Sequence, residues 1–272
     1  MAGARFSTFP AMQSIIVKDF SLECRFLGPP PEEAPTLVLL HEGLGSAGLW
    51  RDFPEKMQAA TGLGVFVYSR AGYGGSAPDP LPWPLEYMER HAREVLPGVL
   101  DAIGFRRGLL VGHSDGASIA ALYAGTVSDP RVQGCALMAP HFFVEQICLD
   151  AIAEAKEAYE QGELKPRLAR HHGANVDNAF YGWNASWLAE GFRTWDITDA
   201  LYHIRVPFLV LQGLADPYGT AEQAHVAERL CPAPVDVRLM DGVGHAPWRE
   251  AETETLDAIA GHCTRLGLTH KT

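Results

Sequence analysis

Short apolar runs alternate along this chain with segments in which apolar residues recur at helical spacing. The apolar runs occupy residues 36–40, 64–68, 109–112, 134–138 and 208–211. Runs of this kind are typical of strands that are buried on both faces of a sheet. The helical segments occupy residues 49–60, 85–103, 117–127, 221–230 and 252–266. This alternation predicts an α/β fold, with a mostly parallel sheet flanked by helices.

Two segments depart from this alternation. Residues 14–17 and 22–27 alternate apolar with polar side chains, which predicts an antiparallel hairpin at the start of the sheet. The second segment, residues 141–198, has helical spacing but no strand pattern. Its aromatic residues include Trp183, Trp187, Phe192 and Trp195. We therefore expect one core formed by residues 1–140 and 199–272, with residues 141–198 inserted as a helical cap.

Composition narrows the class of partner. The chain has 272 residues, of which 47% are hydrophobic, and a formal net charge of -11. This length suits one large core, and the acidic charge disfavours binding to nucleic acid or to an anionic membrane surface. We expect a small-molecule substrate as the partner. The sequence indicates no oligomeric state.

Cysteine usage and the apolar stretches bear on the compartment. The five cysteines are scattered without a CxxC pair, so neither a disulfide framework nor a zinc site is expected. Residues 1–13 lack the charged start and apolar run of a secretory signal, and no later stretch approaches the length of a membrane span. These features favour a cytoplasmic protein without a membrane segment.

The first chemical signal is the sequence Gly-His-Ser-Asp-Gly at residues 112–116, between a predicted strand and a predicted helix. A sharp turn from strand to helix strains the backbone at the serine and exposes its hydroxyl, and the two glycines leave room for the crossing elements. A hydroxyl held in this way beside a base becomes a nucleophile. We therefore expect Ser114 to attack a carbonyl carbon.

Five motifs together resemble those of the α/β-hydrolase superfamily, in the same order along the chain, over about residues 37–266. They are LLHEGLGS at 39–46, SRAGYGGS at 69–76, GHSDG at 112–116, GLADP at 213–217 and GVGHAP at 242–247. The resemblance implies a serine hydrolase of the α/β-hydrolase fold, with a helical cap and without a metal or other cofactor.

The resemblance also implies a catalytic triad in the order serine, acid, histidine. Asp216 and His245 occupy the matching positions, each in a loop that follows a predicted strand. His245 would take the proton of Ser114 and return it to the leaving group, while Asp216 would orient and stabilise the imidazolium. Asp241 precedes the histidine by too little chain to face it, and Asp199 lies in the segment that returns from the predicted cap.

The two backbone donors of an oxyanion hole follow from the same resemblance. They are the N–H groups of Gly43 and Asp115, with Leu44 as the alternative to Gly43 because Glu42 stands where the family commonly has glycine. The Glu42 side chain is expected to be solvated or paired, with Arg70 as a candidate partner. The Asp115 carboxylate would repel an oxyanion, so we expect it to be turned away or paired.

The substrate pocket is less defined by the sequence. Its candidate residues are Glu42, Leu44, His141, Phe142, Trp187 and Trp248. The aromatic members would favour an apolar substrate, although packing is the commoner use of such residues. The remaining candidates for chemistry are histidines without a partner at metal-ligand spacing, which we expect at the surface: His171, His172, His203 and His225.

The expected function is hydrolysis of a carboxylic ester or similar acyl bond through an acyl-enzyme. Lactonase, thioesterase and perhydrolase activities use the same scaffold. A C–C bond hydrolase acting on ring-cleavage dienoates is the alternative, and it would need a cation near the nucleophile, for which Arg70 and Arg93 are the candidates. A non-catalytic binder is a third hypothesis, which the intact triad disfavours. Dehalogenases and epoxide hydrolases are weaker still, because those relatives carry aspartate where this chain has Ser114.

Overall fold

The computed structural model describes residues 12–269, and the parts of the predicted core and N-terminal tail that fall on residues 1–11 and 270–272 lie outside it. Eight strands of the described part form one sheet in the order β1-β2-β4-β3-β5-β6-β7-β8. The strands are β1 (Gln13–Val17), β2 (Phe20–Leu27), β3 (Thr36–Leu40), β4 (Gly64–Tyr68), β5 (Gly108–His113), β6 (Val132–Met138), β7 (Phe208–Gly213) and β8 (Val235–Met240). The hairpin β1-β2 is antiparallel, β2 pairs antiparallel with β4, and β3 to β8 run parallel.

The central strands are buried on both faces because helices cover both. On β3, Leu37 and Leu39 face one hydrophobic cluster, whereas Val38 and Leu40 face the other. This alternation is the period-two geometry of a strand, and it explains why these strands read as continuous apolar runs. The α-helices that lie outside residues 141–198, or that begin at the last of them, are α1 (Phe53–Thr61), α2 (Tyr87–Arg90), α3 (Leu96–Ala102), α4 (Asp115–Thr126), α8 (Thr198–Leu201), α9 (Glu222–Leu230), α10 (Pro247–Glu250) and α11 (Glu252–Arg265), and a 3-10 helix, Ala47–Trp50, precedes α1.

The predicted helix over residues 85–103 is interrupted. Residues His91–Val95 form a π-helical turn between α2 and α3, and the Leu96 N–H donates to the His91 carbonyl. Pro97 follows directly and has no N–H, so it cannot continue the regular ladder toward the preceding turn. The proline therefore accounts for the irregular turn. The α/β fold with a mostly parallel sheet is confirmed.

Residues 141–198, called the cap segment below, connect β6 to α8 and contain helices but no strand. The helices are α5 (Gln146–Gln161), α6 (Leu164–His172), α7 (Val176–Trp187) and two short 3-10 helices, Gly173–Asn175 and Glu190–Thr194. Its two ends lie side by side, because Phe143 forms a β-bridge with Asp196 and the Ile197 N–H donates to the Phe142 carbonyl at 2.7 Å. Across residues 12–269, no helix is both long and apolar enough to span a bilayer.

Candidate active site

Ser114 occupies the turn between β5 and α4 in a backbone conformation that side chains rarely adopt. Its φ is 52° and its ψ is −120°, and the residue is almost wholly buried. A non-glycine residue at positive φ is strained and persists only where its surroundings hold it. The Ser114 N–H donates to the Met138 carbonyl on β6 at 2.9 Å, and the Ser114 carbonyl accepts from the Ala117 N–H at 2.8 Å.

Glycines flank the serine because backbone passes close on both sides. A Cβ at Gly112 would lie 2.4 Å from the Gly116 carbonyl oxygen, and a Cβ at Gly116 would lie 2.1 Å from the Leu40 carbonyl oxygen. Both distances are well below van der Waals contact. A side chain at either position would push α4 away from the sheet, so the turn requires glycine on each side of Ser114.

Asp216 and His245 form a hydrogen-bonded pair in which Asp216 is buried and His245 is partly exposed. His245 lies in the loop after β8, and its Nδ1 lies 2.9 Å from both carboxylate oxygens of Asp216, which follows β7. Burial acts to raise the pKa of Asp216, but hydrogen bonds from His245 and from the Tyr218 N–H hold it below the ordinary value. An ionised Asp216 requires the proton of neutral His245 on Nδ1, which leaves Nε2 free to accept another proton.

The rival acids lie elsewhere. Asp241 and Asp199 are both exposed, and neither lines the cavity that contains Ser114. Asp216 is thus the acid that the structure places against His245.

Ser114 and His245 line one cavity of about 90 Å³ between the carboxyl ends of the strands and the cap segment. The lining residues are Glu42, Gly43, Leu44, Ser114, Asp115, His141, Cys148, Ile152, Trp183, Trp187, Tyr218 and His245. Most of the wall is apolar or aromatic. Among the described residues no lysine or arginine lines this cavity, whereas two acidic residues, Glu42 and Asp115, do.

The residues expected to carry oxyanion donors lie in this wall. Asp115 is the first residue of α4, and the first N–H groups of a helix have no partner within it. The helix dipole also favours negative charge there. Gly43 lies under the Trp183 indole, since a Cβ at Gly43 would come within 2.2 Å of the Trp183 Nε1. Leu44, the alternative donor, lines the cavity too.

The Asp115 carboxylate is paired, as expected of a charge so close to the serine. Its Oδ2 accepts from the Tyr87 hydroxyl at 2.5 Å and lies 4.0 Å from the Arg70 Nη2, and the Trp187 Nε1 donates to Tyr87 at 3.0 Å. Burial raises the pKa of Asp115 above its ordinary value, although Arg70 and Tyr87 act in the opposite direction.

The Glu42 side chain is not paired with Arg70, which corrects that expectation. Arg70 Nη2 donates to the Glu42 main-chain carbonyl instead, and the Glu42 carboxylate lies 3.4 Å from the His113 Nδ1. His113 also bridges to the base, because its Nε2 lies 2.7 Å from the His245 carbonyl. Burial acts to raise the pKa of Glu42, and contact with His113 brings it below the ordinary value.

Two candidate pocket residues lie outside the cavity lining. Phe142 is fully buried in the hydrophobic cluster, with its N–H bonded to the Gln223 side chain at 2.7 Å. Trp248 packs against Trp50 in the cluster on the other face of the sheet and donates to His113 at 3.3 Å. Both have a structural role in packing, since neither reaches the cavity.

His141 lines the cavity, and its imidazole is uncharged at neutral pH. Its ring lies 5.2 Å from Trp187 and 5.8 Å from His245, and burial lowers its pKa to about 3. Its Nδ1 is buried without a hydrogen-bond partner. His141 therefore presents a neutral polar atom beside the expected base.

Several residues of the site carry no motif in the sequence. Cys148 and Ile152 reach the cavity from α5, and Tyr218 covers one side of the His245 ring at 4.6 Å. His172, expected at the surface, is buried: its Nδ1 accepts from the Gly74 N–H at 3.0 Å and its Nε2 lies 3.0 Å from the Leu44 carbonyl. The only feature of the sequence that marks Cys148 and Ile152 is their helical spacing. That spacing predicts that they share a buried helix face, but it does not predict that they line a cavity.

A parallel sheet with a strained serine after its fifth strand, and with an acid and a histidine in loops after later strands, is the arrangement of an α/β-class hydrolase. The chain belongs to the alpha/beta hydrolase family, whose model matches residues 37–258. The chain is therefore a hydrolase. No curated protein matches the chain significantly.

Solved structures agree with the fold at low sequence identity. The chain is similar to a thermophilic esterase from Thermogutta terrifontis, with 20% identity and a TM-score of 0.72 over 96% of this chain and 100% of that one. An esterase from a Rhodococcus species has 19% identity and a TM-score of 0.71, with 94% and 99% covered. A serine hydrolase involved in carbazole degradation has 16% identity and a TM-score of 0.73, with 94% and 100% covered.

Proposed function

We propose that this hydrolase cleaves a carboxylic ester, or a similar acyl bond, of a small and mainly apolar substrate through an acyl-enzyme on Ser114. The observation that carries the proposal is the shared cavity: the strained Ser114 and the His245 ring line it together, and a buried Asp216 holds the far nitrogen of that ring. This set of groups is what nucleophilic acyl transfer requires.

The proposed reaction has two halves. Ser114 Oγ adds to the carbonyl carbon while His245 Nε2 takes its proton, and the alcohol then leaves with that proton. A water molecule, deprotonated by the same nitrogen, adds to the acyl carbon and releases the acid together with the free serine. The Gly43 and Asp115 N–H groups would bind the oxyanion in both halves, and each such donor is worth about 2.7–4 kcal/mol of barrier.

The cavity favours a short and uncharged acyl group. Its volume of about 90 Å³ is smaller than the ~150 Å³ apolar cavity known to take up benzene. Its lining includes the acidic residues Glu42 and Asp115 but no cation among the described residues. An anionic acyl group would be repelled there. We further propose that the cap segment covers the site, because Trp183 and Trp187 of α7 complete the wall.

The absence of a cation from the cavity lining, among the described residues, also disfavours the C–C hydrolase alternative. Arg70 is fully buried with its guanidinium bonded to main-chain carbonyls, and Arg93 contacts Thr126 at the surface. Neither side chain lines the cavity, so neither is placed to receive the carboxylate of a dienoate.

The test compares substrates under steady-state conditions. We expect p-nitrophenyl acetate and butyrate to be hydrolysed with a higher kcat/KM than the octanoate, and a ring-cleavage dienoate to be left intact. Ser114→Ala should abolish ester turnover, whereas Ser128→Ala, outside the cavity lining, should leave it unchanged. Turnover of the dienoate without ester hydrolysis would overturn the proposal.

A further inference from the structure

Arg70 is a buried cation that does not line the cavity containing Ser114. It follows β4, and its side chain is only 1% exposed. Its Nη1 donates to the His41 carbonyl and its Nη2 donates to the Glu42 carbonyl at 3.1 Å. Burying a guanidinium is costly unless acceptors surround it, so this placement calls for a reason beyond packing.

The acceptor that matters most belongs to the Glu42–Gly43 peptide. In a planar trans peptide the carbonyl and the N–H point in opposite directions, so fixing one fixes the other. The Glu42 carbonyl accepts from the Arg70 Nη2 at 3.1 Å, from the His41 Nδ1 at 2.7 Å and from the Gly45 N–H at 3.1 Å. Arg70 is the one charged donor of the three, and since the carbonyl faces its guanidinium, the Gly43 N–H must point away from Arg70.

His41 is locked into the tautomer that this arrangement needs. Its Nε2 accepts from the Arg70 main-chain N–H at 3.1 Å, so its proton lies on Nδ1 and is donated to Glu42. Donors on a peptide carbonyl also polarise the peptide and make its N–H a stronger donor. The main-chain N–H of Arg70, through His41, and the side chain of Arg70, directly, thus both act on the Glu42–Gly43 peptide.

Arg70 also faces the second side of the oxyanion hole. Its Nη2 lies 4.0 Å from the Asp115 Oδ2, and the Asp115 N–H is the other expected donor. A carboxylate beside a developing oxyanion opposes it, and a cation at this distance offsets that charge. One guanidinium therefore contacts both chain segments that supply the oxyanion donors.

We propose that Arg70 is a positioning residue of the oxyanion hole, which turns the Gly43 N–H into the cavity and offsets the charge of Asp115. The proposal rests on the proposed acyl transfer at Ser114. Arg70 touches no substrate and acts only through these two segments. Lysine cannot replace it fully, because one ammonium group does not reproduce a planar fork that binds two carbonyls at once.

The test uses Arg70→Met and Arg70→Lys in the full chain, with Arg25→Met as the matched control. Arg25 is partly buried, with 12% of its side chain exposed, and also donates to a main-chain carbonyl, that of Arg51, but its partners Glu55 and Arg51 belong to neither oxyanion segment. The readouts are kcat and KM for p-nitrophenyl butyrate, thermal unfolding, and the inhibition constant of phenylboronic acid. The boronic acid accepts the Ser114 oxygen on boron and forms a tetrahedral adduct that resembles the transition state.

We expect Arg70→Met to lower kcat by about 10- to 100-fold with KM nearly unchanged, because loosened geometry costs transition-state binding. The boronic acid should lose affinity by a similar factor, Arg70→Lys should lie between, and Arg25→Met should match the unmutated protein. A boronate affinity that tracks kcat separates positioning from a general loss of packing. If Arg70→Met does not fold, Arg70→Lys carries the same comparison.

Folded Arg70 variants with unchanged kcat, or with reduced kcat but full boronate affinity, would overturn the assignment of Arg70. Failure of the proposed function has a different signature. In that case the unmutated protein itself would neither hydrolyse the ester nor bind the boronic acid.

Discussion

Replacing Asp216 by asparagine tests the contact between Asp216 and His245, because asparagine keeps the shape of the side chain and removes its charge. The Asp216 Oδ1 accepts from the Tyr218 N–H at 2.8 Å, and the Oδ2 accepts from the Gln212 Nε2 at 3.0 Å. Since Tyr218 is a main-chain donor that cannot turn, the asparagine oxygen must replace Oδ1. The asparagine NH₂ group then occupies the position of Oδ2.

In that position the NH₂ group faces two problems. It points at the Gln212 Nε2, which is itself a donor and is held by the carbonyls of Gly213 and Gly219 at 3.2 Å. It also faces the His245 Nδ1 at the 2.9 Å that Oδ2 had, and there it competes with the asparagine oxygen, which lies at the same distance from that nitrogen. An amide donor favours the tautomer of His245 with its proton on Nε2, and that nitrogen can then no longer accept the serine proton.

The expected loss in kcat for Asp216→Asn is about 10⁴-fold, or about 5.4 kcal/mol of barrier, with KM little changed. Asp241→Asn is the matched control, because it makes the same chemical change at an exposed position near His245. Initial rates on p-nitrophenyl butyrate give both parameters, and thermal unfolding checks the fold. Turnover within about tenfold of the unmutated protein would contradict the role of Asp216 and require a different acid.

Three further changes test packing, pocket size and protonation. Gly116→Ala should lower the free energy of unfolding by about 1–3 kcal/mol or more, measured in urea, whereas Gly48→Ala should not, because its nearest neighbour lies 3.9 Å from the new Cβ. Ile152→Ala enlarges the cavity and should shift the preferred ester from butyrate toward octanoate; an unchanged ranking would place the acyl group elsewhere. His262 is buried with its pKa lowered to about 4, so the unfolded state takes up its proton first as the pH falls below the ordinary value of 6.5. Between pH 7 and 5 the unmutated protein should therefore lose about 2 kcal/mol more stability than His262→Gln, and parallel losses would contradict this.

The sheet and the turn at Ser114 could be predicted because their signals in the sequence are short. Continuous apolar runs mark strands buried on both faces, and the two glycines around Ser114 mark a turn in which backbone atoms leave no room for a Cβ. The loop positions of Asp216 and His245 follow from the same order of strands. Each signal spans only a few residues, even where the atom that excludes a Cβ comes from a distant strand, as the Leu40 carbonyl does at Gly116.

The surroundings of the site depend on contacts between distant segments. His172 is buried because α6 brings it against the Leu44 carbonyl and the Gly74 N–H, and its own neighbours in sequence do not reveal this. Trp248 lies three residues after the expected base, yet the start of α10 turns it to the opposite face of the sheet, against Trp50. A single sequence does not show against which distant segment a helix will pack, so the positions of these two side chains could not be predicted from it.

Covalent labelling of the folded protein with a fluorophosphonate, read by mass spectrometry of the digested chain, tests most directly whether Ser114 is the nucleophile. We expect one adduct, on the peptide that contains Ser114, and none in Ser114→Ala. Labelling should also fall sharply in Asp216→Asn, because the same base activates the serine toward phosphorus. A folded protein that stays unlabelled, or that carries the adduct on another serine, would contradict the assignment of Ser114 as the nucleophile.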